Sequence, residues 1–186
     1  DFMHDYLMNN YLETGDKSQN SVDAFVQYDW IASDAWEFVG AMRYDYFSDS
    51  DDSQITPKFT ARYKPLYNLN VRFGYGMGFR APALKEKYYD FDMLGIWIIK
   101  GNPNLKAETS HNFNISADYT KSRYNFTFSA YYNDVRNKLT TGIPHYLPGE
   151  NKLLYLDYVN LDNYSVWGGE AAVQARWNNG LSARLS

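Results

Sequence analysis

The feature that most constrains this chain is an alternation of period two, sustained for about 10 to 13 residues in one segment after another. Successive side chains of a β-strand leave opposite faces, so this is the signature of strands. One face reads Val22, Ala24, Val26, Tyr28 and Trp30, against Asp23, Phe25, Gln27, Asp29 and Ile31 on the other. After the turn at 33–35, Trp36, Phe38, Gly40, Met42, Tyr44 and Tyr46 oppose Glu37, Val39, Ala41, Arg43 and Asp45. Leu69, Val71, Phe73, Tyr75, Met77 and Phe79 oppose Asn70, Arg72, Gly74, Gly76, Gly78 and Arg80. The same holds around Phe59, Ile115, Phe128 and Val173, with the formal charges expected on one face only.

Alternation by itself suits a soluble sandwich with its apolar face turned inward. Three details favour a membrane barrel instead. Globular strands average about 5–6 residues, whereas a tilted strand needs about 9–11 to cross a bilayer. Aromatic rings sit toward the ends of the apolar face, as where Trp167 and Trp177 bracket Ala171, Val173 and Ala175. Amphipathic rings favour the headgroup level, so this is a girdle pattern. Finally, tight turns near 33–35, 65–68, 121–123 and 178–180 alternate with longer connections expected at 13–20, 48–53, 80–107 and 137–152. The expected fold is all-β, a transmembrane antiparallel barrel, with eight strands and the start of a ninth at Leu181–Leu185. An odd count does not close a bacterial single-chain barrel, so residues 1–186 are expected to be part of one larger barrel domain.

The bulk numbers agree. The chain is 18% aromatic, yet its mean hydropathy is -0.57, because each strand averages an apolar face with a polar one. Disordered chains lack such aromatics. No run of about 18 apolar residues offers a membrane helix. Net charge is -4, without a basic segment suited to nucleic acid, and cysteine is absent. The opening Asp1-Phe2-Met3-His4 lacks a basic, then apolar, leader, so the chain is expected to start after processing or within a longer protein.

The densest motifs lie between Asn70 and Thr109. Gly78-Phe79-Arg80-Ala81-Pro82 closes one strand, and Gly101-Asn102-Pro103-Asn104-Leu105-Lys106-Ala107-Glu108 closes the connection after it. With Arg43-Tyr44-Asp45, Thr56-Pro57-Lys58-Phe59, Tyr158-Val159-Asn160 and Gly168-Gly169-Glu170, these resemble, in order, the TonB-dependent outer-membrane receptors. Ala83 stands where that family usually has serine, and Ala107 where it usually has proline. The resemblance implies a 22-stranded barrel in the outer membrane of a Gram-negative bacterium, filled by an N-terminal plug that this sequence does not contain. It implies active import of a scarce metal chelate (ferric siderophore, haem or cobalamin), energised by the inner-membrane TonB complex through the plug.

On that reading the ligand meets the extracellular connections, where Arg80, Tyr88, Tyr89, Met93, Trp97, Asn102 and Tyr146 are the candidate contacts. The partners are the chelate, outer-membrane lipid and the TonB complex, and the arrangement admits a surface lipoprotein. Other readings are a glycan importer of the same family, a small structural or adhesin-like barrel, and a soluble carbohydrate-binding sandwich. No catalytic motif, bound cofactor or metal-ligand set is read. His4, His111 and His145 are isolated, and Asp49, Asp51 and Asp52 lack the glycine and glutamate of a calcium loop, leaving a solvated loop. The interior glycines 74, 76 and 78 admit two readings: a side-chain-free strip that lets the plug backbone approach, or a locally bent strand.

Overall fold

The computed structural model describes residues 1–8, 15–149 and 153–186. In chain order its elements are β1 (Phe2–Leu7), β2 (Lys17–Ile31), β3 (Trp36–Phe47), β4 (Asp52–Leu66), β5 (Leu69–Arg80) and α1 (Leu84–Tyr88). There follow β6 (Phe91–Met93), β7 (Trp97–Lys100), β8 (Glu108–Lys121), β9 (Tyr124–Arg136), β10 (Lys138–Thr141), β11 (Leu154–Leu161), β12 (Tyr164–Arg176) and β13 (Ser182–Leu185). Nine of the strands form one antiparallel sheet in the order β1-β2-β3-β4-β5-β8-β9-β12-β13. The other four form a second, smaller sheet within the long connections, in the order β10-β11-β7-β6.

The register explains why this sequence makes a membrane wall. Residues opposite each other in a sheet share a face. One row runs Trp30, Phe38, Ala61, Phe73, Ile115, Ala130 and Gly169 across seven strands. The adjacent row, one residue along, runs Glu37, Arg62, Arg72, Ser116, Ser129 and Glu170. A slip of one residue would exchange these rows, so the lipid–water boundary itself holds the register. Its arginines are paired on the same face: Arg62 with Glu37 in the row, and Arg72 Nη1 at 2.7 Å from Asp118 Oδ2, two residues along β8.

The apolar row has no second layer against it. Among the described residues the buried apolar side chains are Leu84, Leu105, Val135, Leu139, Tyr155 and Ala175, most of them in or beside the long connections. Val26, Met42, Ile115 and Phe128 lie exposed in mid-strand. A sandwich would have buried that face; a lipid-facing wall leaves it bare to protein. Aromatic pairs mark both ends of the band. Trp36 stacks on Tyr63 at 4.2 Å near the tight turns, and Tyr75 contacts Phe113 at 5.0 Å toward the other end.

Some expectations need correction. The connection at 48–53 is short: Phe47 and Asp52 are already paired, leaving a turn of 48–51. Of the first expected loop, 13–20, residues 13 and 14 lie outside the described residues, and β2 is already running at Lys17. Charge is not confined to one face throughout, because Asp134 and Arg136 of β9 stand in register with His111 and Thr109 on the apolar side. They follow Tyr132, so the strand continues as a polar extension beyond the aromatic band. The glycine strip is not empty. A Cβ at Gly74 would lie 2.6 Å from Asn114 Oδ1, and one at Gly78 would lie 2.5 Å from Ser110 Oγ. The glycines make room for polar side chains of β8 leaning across the sheet.

Candidate functional site

The tight turns near 33–35, 65–68, 121–123 and 178–180 fall at one end of the wall; both long connections, 81–107 and 137–163, fall at the other, beside the short turn of 48–51. Where described, the long connections carry regular structure, and residues 150–152 of the second lie outside the described residues. The first carries α1 and the hairpin β6–β7, whose turn places Leu94 at φ 54° and Gly95 at φ 70°. Ile96 N donates to Met93 O at 3.0 Å across it. Two central residues of positive φ are what a primed turn over residues 93–96 demands, and the loop between the paired Met93 and Trp97 is three residues long. The second connection supplies β10 and β11. β11 then pairs in parallel with β7, Leu154 opposite Trp97 and Leu156 opposite Ile99, so the two connections share one sheet.

Several sequence motifs turn out to fasten this assembly. Arg80 ends β5 and reaches Glu86 Oε1 at 2.5 Å, while Glu86 Oε2 accepts from Ala83 N at 2.9 Å. Glu108, at the start of β8, accepts from Lys138 Nζ at 3.3 Å and from Leu139 N at 3.1 Å, seating β10. Asn102 donates to Tyr158 O at 2.9 Å and accepts from Asn104 N at 3.0 Å. Asn160 donates to both Lys106 O and Asn137 O at 2.9 Å. Gly101 sits so close to α1 that a Cβ there would be 2.8 Å from Lys87 O.

The acid–base chemistry is concentrated under α1. Lys87 and Asp49 are both almost fully buried, with Nζ 2.5 Å from Oδ2, and Tyr88 Oη donates to Asp49 Oδ1 at 3.1 Å. Burial pushes the Lys87 ammonium down, but the hydrogen bond and charge of Asp49 outweigh it, so its pKa is raised above the ordinary 10.5. Burial likewise raises Tyr88, which stays a neutral donor. Lys17 Nζ lies 4.8 Å from the centre of the Tyr88 ring. Asp49 is therefore not part of a solvated acidic loop; it is the anchor of the loop helix.

The structure divides the seven sequence candidates. Arg80, Tyr88 and Asn102 are engaged in the fastening just described. Met93 and Trp97 face each other across the β6–β7 hairpin, both more than a third exposed. The register puts Phe91, Ile99 and Leu156 on that same face. Tyr89, just after α1, brings its ring to 6.1 Å from Phe91. Tyr146 lies apart, exposed beside His145, which bridges to Tyr155 on β11. Sequence reading missed Lys85, Phe91, Ile99 and Tyr158, which with Tyr89 line a cleft of about 210 Å³ between α1 and the loop sheet. The signal was present for two of them: Phe91 and Ile99 have the same parity as Met93 and Trp97. Among the described residues no cluster of three or more His, Asp or Glu side chains could hold a metal ion.

This architecture is one that other proteins share. Residues 4–186 match the family model for the TonB dependent receptor-like β-barrel. An iron-regulated outer membrane virulence protein of Vibrio cholerae is 29% identical over 160 residues, covering 80% of this chain and 24% of that protein. The vitamin B12 transporter BtuB of Photobacterium profundum is 31% identical over 100 residues, 54% of this chain and 15% of the transporter. The crystal structure of the siderophore receptor PirA from Pseudomonas aeruginosa superposes with a TM-score of 0.86 at 18% identity, covering 97% of this chain and 36% of that one. The chain thus spans about a quarter of the length of the Vibrio cholerae relative, and the kin it finds are transport receptors rather than enzymes. Wall, turns, loops and relatives agree: the chain belongs to the TonB-dependent receptor β-barrel family of the Gram-negative outer membrane.

Proposed function

We propose that this chain supplies ligand-facing wall and loops to an active importer of a metal chelate. One observation carries the reading: the two long connections are knitted by the β7–β11 pair into a single platform above the strand ends. A porin that admits small solutes by diffusion needs an open mouth; a receptor for a scarce ligand needs a preorganised surface. Relatives named for iron regulation, vitamin B12 transport and siderophore reception support a metal chelate as cargo. On this reading residues 1–186 belong to a single larger barrel, its plug passes energy from the TonB complex, and a ligand above the loops meets Tyr89, Met93, Trp97 and Tyr146. Arg80, Tyr88 and Asn102 contribute chiefly by holding that surface in place. The test is growth of a deletion strain on defined iron-chelate, haem and cobalamin sources. One source should distinguish the mutant from its parent, and equal growth on all of them refutes the metal-chelate reading.

A further inference from the structure

The cleft between α1 and the loop sheet has the size and chemistry of a subsite. Lys85 and Tyr89 stand one helical turn apart, with Tyr89 N bonded to Lys85 O at 3.2 Å. Phe91 and Ile99 are register partners on the opposite wall, and Tyr158 closes the end, its carbonyl fixed by Asn102. The lining is mostly apolar, yet three polar groups reach it. Among the described residues Lys85 has no acidic partner, and the hydroxyls of Tyr89 and Tyr158 make no hydrogen bond. Every neighbouring ionisable side chain of α1 is, by contrast, spent: Glu86 on Arg80, Lys87 on Asp49.

We propose that this cleft holds one planar aromatic anion, the ring lying between Tyr89, Phe91 and Ile99 and the anionic oxygen meeting Lys85. The inference rests on the importer reading and adds to it the chemistry of one arm of the cargo. Volume supports a single ring: an apolar cavity of about 150 Å³ accepts benzene, and about 210 Å³ leaves room for one charged substituent. The Tyr89–Phe91 pair, tilted by 38°, presents a face and an edge, an arrangement suited to a third ring. A single lysine favours one charge, and two free phenol hydroxyls can donate to the remaining oxygen. An aliphatic acid would satisfy the lysine without the rings; a neutral ring would do the reverse.

The probe is sodium benzoate, added to the purified full-length receptor in detergent and followed by saturation-transfer NMR on the ring protons. So small a ligand binds in the millimolar range. Benzoate should saturate, whereas benzamide and cyclohexanecarboxylate should bind at least about fivefold more weakly. Lys85→Met should weaken benzoate about tenfold, the size of a lost charge-assisted hydrogen bond. Ile99→Trp, which fills the cleft, should abolish it. Lys85 is exposed, so its variant keeps the fold even if the bulkier one does not. Absence of benzoate binding, or equal binding by both variants, overturns the subsite. The probe needs no energised transport. Failure here with growth still dependent on an iron chelate removes only the subsite, and failure of growth with benzoate binding intact removes only the importer.

Discussion

Lys87 Nζ and Asp49 Oδ2, 38 positions apart in sequence, lie 2.5 Å from each other and join the loop helix to the turn between β3 and β4. Removing one member of a buried pair strands the other charge, at a cost of about 3 kcal/mol or more. Lys87→Met or Asp49→Asn should therefore raise protease cleavage within 81–107 severalfold while the barrel keeps its heat-resistant mobility in SDS. The apolar double variant Lys87→Met/Asp49→Leu should lie closer to the parent than either single change. If all three are cleaved at the parental rate, the pair does not hold the helix.

The same pair sets a pH window. Lys87 has a pKa above its ordinary 10.5 in the folded protein, so its stabilisation is full below 10.5 and is lost as pH rises through the folded value. Tyr88, also raised, acts in the same direction. Hydrogen exchange of α1, corrected for its intrinsic pH dependence, should be flat from pH 7 to 9 so far as this latch is concerned. A helix that loosens within that range would show that Lys87 is not its anchor.

Ala83 occupies the N-cap of α1 with no side chain to offer, although Glu86 already makes the reciprocal contact to Ala83 N. Ala83→Ser should complete the box and slow opening of the helix by about 1 kcal/mol. Amide exchange at Glu86 and Lys87 measures it directly, and no slowing would mean that the helix end is set by tertiary contacts alone.

Two glycines make contrasting demands. At Gly101 a Cβ would press on the backbone carbonyl of Lys87, which cannot move without dragging α1. Gly101→Ala should cost about 1–3 kcal/mol of loop stability. At Gly74 the obstacle is the end of the Asn114 side chain, which can rotate away. Gly74→Ala should stay within about 0.5 kcal/mol. Comparing the unfolding of both in detergent, with loop proteolysis, checks the order; reversal would contradict the packing around α1.

Neighbouring residues of β8 test the faces. Ile115 lies in the apolar row between Phe73 and Ala130, and Ser116 lies in the polar row between Arg72 and Ser129. An arginine on the lipid face near mid-bilayer costs about 2–4 kcal/mol, whereas the lumen tolerates one. Ile115→Arg should sharply reduce the folded, heat-modifiable fraction in vesicles, and Ser116→Arg should not. Equal yields would mean the faces are wrongly assigned.

The wall was legible because lipid and water impose a rule on every second residue, and that rule survives in the bare sequence of β3, β5, β8 and β12. Turn positions followed, since tight turns interrupt the period. The loop sheet was not legible. β7 has only Trp97–Lys100, and its parallel partner β11 lies more than 50 positions on, so no local period announces the pairing. The roles of Asp49 and Glu86 were hidden for the same reason: an acidic residue in a turn looks solvated until its distant cation is known. Arg80 and Asn102 drew notice as motif residues. Sequence could not separate holding the platform from touching what sits on it.

The parallel pair of β7 and β11 also limits how such receptors can exchange parts. Replacing the 81–107 connection alone with one from a relative would take β7 away from the edge of β11 along Leu154–Asp157, leaving β11 held only from its β10 side. Replacing 137–163 alone would leave Trp97 to Lys100 with β6 on one side and nothing on the other. The two segments form one heritable module, so recombination or vaccine design that reshapes this surface succeeds only when both are transplanted together.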